Sequence, residues 1–209
     1  MNRIITIGRE FGSGGRELGR RLSEKLHIAY YDQEIITEIA KRTSMSEEYV
    51  RQITESRPIM SFPIHVRHSF YPIPNPAFQQ CVSIYAEQHK LLQELAEKAD
   101  CIIVGRCADY ILRDTKPLRI FVYADTESKV KRCMERKPEG ESLTEAQMKK
   151  KMAEIDRSRS KYYEFFSEQK WGAKENYDLL VNTSGADIKK LSADLSGYLQ
   201  SIGFVNKSV

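Results

Sequence analysis

The sequence predicts an α/β fold in which a five-stranded parallel sheet lies between two layers of helices. Three observations predict it. Short β-branched runs alternate with longer amphipathic stretches from one end of the chain to the other, the rhythm of βαβ units. The first run passes straight through a glycine-rich turn into a helical pattern. At 209 residues and 41% apolar composition the chain can close a core without a disulfide or metal staple, and a net charge of +4 is too small for a disordered chain.

The elements follow in order. Arg3 to Gly8 is the first strand, and Gly15 to Leu26 the helix after the turn, with Leu18, Leu22 and Leu26 on one face and Arg16 and Arg20 opposite. Ile28 to Tyr31 is a second strand and Gln33 to Thr43 its helix. From Ser56 to Pro76 the rhythm stops, with five of the seven prolines and a cluster of Phe, His and Tyr. Loops of that length in compact domains are functional or disordered, and this one is aromatic enough to pack.

Asn75 can cap, and Pro76 can open, a helix running to about Lys98, on which Phe78, Cys81, Val82, Tyr85, Leu92 and Ala96 share a face. His89 sits on that stripe and is read as a core histidine. Cys101 to Val104 and Arg119 to Tyr123 are the third and fourth strands. Thr126 to Arg136 is a helix with Arg132 and Arg136 on its polar side, read as a solvated face. A turn over Lys137 to Ser142 leads to a charged helix from Thr144 to about Gln169. Asp178 to Asn182 closes the sheet, and Ala186 to Ser201 covers it. The whole of 1–209 is read as one domain, with a helical region over 32–100 and an excursion over 137–172.

Composition excludes several classes. The four cysteines lie far apart with no C-x-x-C pair, so reduced thiols in a cytoplasmic protein are expected. No apolar run is long enough to span a membrane, and Met1-Asn2-Arg3 enters the first strand without an h-region, so no targeting segment is expected. The basic excess, 33 Lys and Arg against 29 Asp and Glu, is scattered, so neither nucleic acid nor membrane is an expected partner. The histidines show no metal-ligand spacing. No G-x-S-x-G elbow is present, and Cys107 is read as a buried thiol, with a nucleophile as the alternative.

The chemistry concentrates in Gly8-Arg9-Glu10-Phe11-Gly12-Ser13-Gly14-Gly15-Arg16-Glu17. Glycines let backbone N–H groups converge on an anion, and the helix that follows adds its positive N-terminal end at the same point. A phosphate suits Gly12, Ser13, Gly14 and Gly15; the alternative is a tight turn that binds nothing. The loop departs from G-x-x-x-x-G-K-[ST], because Gly15-Arg16-Glu17 stands where lysine and a hydroxyl residue belong. Arg16, one step beyond the lysine position, and Arg9 are the cations within reach.

With its G-R-E-F-G-S-G-G-R-E loop the sequence resembles the P-loop nucleoside monophosphate kinases, and among them the cytidylate kinase-like proteins. Tyr30-Tyr31-Asp32 is similar to the segment that opens the monophosphate-binding helices. Ile102-Ile103-Val104-Gly105-Arg106-Cys107-Ala108-Asp109 is similar to the G-R-D segment, with Cys107 in place of the aspartate. Leu118 to Asp125 is similar to K-I-F-L-x-A-S, Asp156-Arg157-Ser158-Arg159 to the lid motif D-x-x-R, and Tyr177 to Thr183 to the closing D-x-x-I-D-T strand. These segments keep the family order across residues 3–184.

The resemblance implies a P-loop three-layer αβα fold and phosphoryl transfer from ATP, with Mg²⁺, to a nucleoside monophosphate, cytidylate by name. It implies ATP-binding Gly12, Ser13, Gly14, Gly15, Arg16 and Glu17, and acceptor-binding Asp32, Arg106, Asp109 and Asp156. Arg16, Arg157 and Arg159 would serve catalysis. How Mg²⁺ is held stays open among Glu17, Ser13, Asp32 and water.

Side-chain physics weighs these roles separately. A bidentate guanidinium at Arg106 suits an acceptor phosphate, against a surface arginine after a strand. At ~100° per residue, Met148, Met152, Ile155, Tyr162 and Phe166 form one stripe that includes Arg159 and leaves Arg157 outside. An arginine in an apolar stripe needs an anion: a phosphate, or a carboxylate such as Asp156 or Glu17. Asp32 either meets ligand or caps the next helix. Two other functions stand beside the first: a small-molecule kinase with another acceptor, and a nucleotide-binding regulatory module without catalysis.

Overall fold

The computed structural model describes residues 2–56, 76–136 and 142–204. The elements are β1 (Ile4–Arg9), α1 (Gly15–Leu26), β2 (Ala29–Tyr31), α2 (Glu34–Thr43), α3 (Glu47–Arg51), α4 (Pro76–Lys98), β3 (Cys101–Val104), α5 (Ala108–Ile111), β4 (Leu118–Tyr123), α6 (Thr126–Glu135), α7 (Glu145–Ser167), β5 (Leu179–Asn182) and α8 (Ile188–Ser201). A π-helical turn, Gln52–Ser56, extends α3.

All strand pairs are parallel, in the order β2-β3-β1-β4-β5. β1 is buried along its whole length at the centre, and its alternate side chains serve two cores. Ile5 and Ile7 meet Leu18, Leu22 and Leu199 from α1 and α8. On the other face, Ile4, Cys101 and Ile103 meet Ile36 and Ile39 from α2 and Leu92 from α4. The result is the expected three-layer αβα arrangement, with every strand pointing its carboxyl end toward one edge.

The strands fall within a residue of their expected positions, and α1 and α4 begin and end as read. Asn75, most of the Ser56 to Pro76 stretch and most of the Lys137 to Ser142 turn lie outside the described residues. Two expectations for α4 need correction. Val82 is exposed, and the buried face carries Ile84, Gln88, Leu91 and Leu95 beside the expected Cys81, Leu92 and Ala96. His89 is only half-buried, edge-on to Tyr85 with ring centroids 6.4 Å apart, because the stripe turns away from it. Among the described residues no helix is long and apolar enough to cross a membrane.

Candidate active site

The glycine-rich loop leaves β1 at the carboxyl edge and turns back on itself. Gly12 and Gly14 adopt left-handed φ values of 77° and 81°, and Gly14 caps α1. The carbonyls of the loop are tied from behind. Arg132 on α6 donates to Gly12 O at 2.8 Å and to Thr183 O at 3.0 Å, and Thr183 Oγ1 donates to Ser13 O at 2.6 Å. Phe11 N–H is held by Asp156 of α7 at 2.7 Å. The first-turn N–H groups of α1, which have no intrahelical acceptors, open on a cleft of about 950 Å³.

Arg132 is therefore not the solvated residue its helix face suggests. Its guanidinium fastens the loop to β5 from a partly buried position on the cleft wall. If the loop holds ATP as the resemblance implies, Arg132→Ala should loosen it and raise the KM for ATP about tenfold, at a loss of ~1.4 kcal/mol, while the fold survives. Steady-state kinetics against ATP concentration checks this; an unchanged KM rejects the fastening role.

Asp32 follows β2, is 2% exposed, and forms the floor of the cleft. It does not cap α2, whose N-cap position is Gln33 with no side-chain bond. It pairs with Arg16 (Nε to Oδ2, 2.5 Å) and lies 3.7 Å from Arg9. Ser13 is fully buried, with its hydroxyl donating to Glu10 O at 2.8 Å, and is thereby turned into the loop. Glu17 is held by Arg21 at 2.7 Å and by Arg136. Burial pushes its carboxyl up, but those two arginines prevail and hold it below the usual range. Ser13, Glu17 and Asp32, the three side chains weighed for Mg²⁺, are thus all engaged within the protein, with the Glu17 and Asp32 carboxylates on the cleft. Among the described residues no group of three or more His, Cys, Asp or Glu side chains is set to hold a metal.

At and behind the inner end of the cleft three arginines gather, Arg9 and Arg159 lining it and Arg106 set in the chamber behind. Arg106, after β3, is buried and donates to Thr54 Oγ1 at 3.0 Å and to Glu55 Oε1 at 2.5 Å. Arg159 of α7 lies 3.9 Å from Glu55 and 3.7 Å from Asp156, with its guanidinium over the Phe11 ring. Arg9 runs from the end of β1 beneath both. Donor atoms of all three, Arg9 Nη2, Arg106 Nε and Arg159 Nε and Nη1, are buried without a hydrogen-bond partner. Burial pushes the Glu55 carboxyl up, yet Arg106, Arg9 and Arg159 outweigh it and hold it at about 2. Arg9 is pulled down to about 9 by burial and by Arg159, and stays protonated at neutral pH.

The structure thus brings Gly12, Gly14, Gly15, Arg16, Glu17, Asp32 and Arg159 onto one cleft, while Ser13 is buried and does not line it and Arg106 sits in a small chamber of about 40 Å³ behind it. Three further expected site residues are placed otherwise. Arg157 is exposed on the far side of α7 and does not line the cleft. Asp109 is buried in the rear chamber, accepting from Tyr163 Oη at 2.7 Å, and burial raises its carboxyl. Asp156 serves the loop and Lys129 (3.8 Å) as well as Arg159, and does not line the cleft as an acceptor ligand would. Of the two carboxylates weighed as partners for Arg159, Asp156 lies within ion-pair range at 3.7 Å, and Glu17 is held instead by Arg21 and Arg136. Cys107 is buried, and burial raises its thiol well above the ordinary range, which leaves little thiolate for a nucleophile. Glu55 was hidden from sequence reading, since it ends a segment without an apolar period and meets its partners only across the fold.

A parallel sheet whose first strand feeds a glycine-rich loop and helix, with the cleft at its carboxyl edge, is the P-loop kinase architecture. The chain belongs to the cytidylate kinase-like family, whose model matches residues 4–185. An uncharacterized protein from Eubacterium ventriosum is similar in structure with a TM-score of 0.69 and 28% identity, over 96% of this chain and 99% of that one. Shikimate kinase from Bacteroides thetaiotaomicron shares the fold with a TM-score of 0.56 and 12% identity, over 96% of this chain and 97% of that one. Shikimate kinase from Acinetobacter baumannii does so at 0.53 and 16%, over 97% and 93%. Among curated proteins none matches.

Proposed function

We propose that the protein transfers the γ-phosphoryl group of ATP to a nucleoside monophosphate, with cytidylate as the first candidate. The observation that carries this reading is one cleft with an anion-binding surface at each end: backbone N–H groups of the loop at one, and arginines at the other. Those ends suit the ATP phosphates and the acceptor phosphate, with Asp32 on the floor between them. A phosphate oxygen of the acceptor attacks the γ-phosphorus in line, and ADP leaves.

The chain's own contribution is positioning and charge. The loop N–H groups orient the β- and γ-phosphates. Arg159, projecting from α7, neutralises charge spreading over the transferring group, and Arg106 fixes the acceptor. Asp32 would hold Mg²⁺ with waters and the nucleotide, a donor set that suits an ion usually bound by one or two carboxylates plus phosphates. Mg²⁺ there supplies charge neutralisation to the phosphates. The chain acts as one domain, with 32–100 serving the acceptor and 137–172 closing over the nucleotide, in the cytoplasm.

A second reading, a small-molecule kinase with a different acceptor, is favoured by Cys107 in place of the family aspartate and by Glu55 closing the rear chamber. Incubation with Mg²⁺-ATP and a panel of nucleoside monophosphates, with ADP release followed, tests both. Turnover is expected to be fastest with cytidylate. Turnover only with a non-nucleotide acceptor would replace the first reading by the second. ATP binding with no turnover on any acceptor would leave a nucleotide-binding regulatory module and reject both.

A further inference from the structure

A standard G-x-x-x-x-G-K-[ST] loop carries a lysine at the position occupied here by Gly15, and the structure leaves no room for one. A Cβ at Gly15 would stand 2.7 Å from Arg9 Cβ, 3.1 Å from Val122 Cβ and 3.3 Å from Arg9 Cγ. The space from which a lysine stem would rise is thus filled by the stem of Arg9. That side chain crosses from the end of β1 to the end of β3, where its Nη1 rests against the Cα of Gly105 so closely that any Cβ there would overlap it. Its guanidinium lies on the cleft wall between the loop and Asp32, with Nη2 buried and unpartnered.

Arg16, the other candidate cation, is differently placed. Its side chain is 48% exposed and committed to Asp32 through Nε at 2.5 Å. Arg9 reaches the same carboxylate only at 3.7 Å, beyond hydrogen-bond range.

We propose that Arg9 supplies the positive charge that the loop lacks at Gly15, facing the β- and γ-phosphates of ATP from the strand end beneath the loop. This rests on the reading of the cleft as an ATP site. The arrangement moves the cation from the helix to the strand while keeping it on the same phosphates, and it makes Gly15 and Gly105 obligatory as the two walls of its channel. A guanidinium also offers a fork of donors where a lysine offers a point charge, so it can contact two phosphate oxygens together.

The test compares wild type with Arg9→Met, which keeps the stem and removes the charge, Arg9→Lys, which keeps charge, and Arg16→Ala. Mg²⁺-ATP affinity is read by calorimetry, turnover by ADP release, and folding by thermal unfolding and circular dichroism. Arg9→Met is expected to lose at least tenfold in ATP affinity and about a hundredfold in kcat/KM with secondary structure retained. Arg9→Lys should recover a large part, and Arg16→Ala, which also frees Asp32 of its partner, should lose less ATP affinity than Arg9→Met. Wild-type affinity in Arg9→Met, or a larger loss in Arg16→Ala, overturns the proposal. Should Arg9→Met unfold, a folded Arg9→Lys no better than a folded Arg9→Gln in ATP affinity overturns it equally. Failure of the wild type itself to bind ATP would instead strike the underlying reading, so the two failures are distinguishable.

Discussion

Arg106→Met is expected to destabilise the protein by about 3–5 kcal/mol, because it strands the Glu55 carboxylate in a buried setting without its nearest partner. Arg106 is 7% exposed and holds Glu55 at 2.5 Å and Thr54 at 3.0 Å. Methionine fills part of the volume and offers neither bond. The loss also carries a pH signature. With Arg106 present, the Glu55 carboxyl sits at about 2, below an ordinary value of 4.5. A depressed folded pKa contributes stability that is complete above the unfolded value and disappears as pH falls from about 5 through about 2.

The shift corresponds to ~3 kcal/mol for this carboxylate. In Arg106→Met the carboxyl loses its principal cation and its pKa should rise, so this part of the acid-induced loss should move to higher pH. Urea unfolding at pH 7 and pH 4 measures both effects. Glu55→Gln should abolish the same pH dependence. A double-mutant cycle that gives no coupling between Arg106 and Glu55 would show the pair to be incidental.

Gly105→Ala is expected to cost more in activity than in folding. Gly105 has a φ of 74°, where an L residue is strained by roughly 1–2 kcal/mol. Its new Cβ would overlap Arg9 Nη1 and sit 2.8 Å from Cζ. The guanidinium is the movable party, so the methyl evicts it from its seat over β3. Turnover with ATP should fall at least tenfold while the unfolding midpoint shifts by a few degrees. Full turnover in Gly105→Ala would mean that the position of the Arg9 head does not matter.

Much of this fold was readable because its signals are local. The β-branched runs of Ile4 to Ile7 and Cys101 to Val104, the leucines of α1 and the proline at the start of α4 each act over a few residues. The α3 segment and the π-helical turn after it were missed, since neither has an apolar period. Ser46, which accepts from Tyr49 N–H, was the one usable sign. In the site, the glycine loop and Asp32 were legible from their places after strands, and Arg159 from its presence in an apolar stripe.

What escaped was long-range. Glu55 and Arg106 are 51 positions apart, as are Arg132 and Thr183. Helical arithmetic put Arg132 on a polar face correctly, but a polar face that meets a loop carbonyl is not a solvated one. The steric exclusion of lysine at Gly15 depends on Arg9 and Val122, and on the strand pairing that sets Val122 beside Arg9.

Gly105, Arg106 and Cys107 take φ values of 74°, 61° and 52°, three consecutive residues in the left-handed region, of which two carry side chains that disfavour it. Gln88 of α4 holds the middle carbonyl at 2.8 Å from a fully buried position. A segment bent this way has few other conformations open to it, so the direction of the Arg106 side chain is settled when the chain folds. In the acceptor role proposed for Arg106, a phosphate would meet an arginine whose ordering entropy has already been spent. The turn after β3 would then work as a mould set in advance, making selectivity for the proposed acceptor a matter of shape the ligand must match.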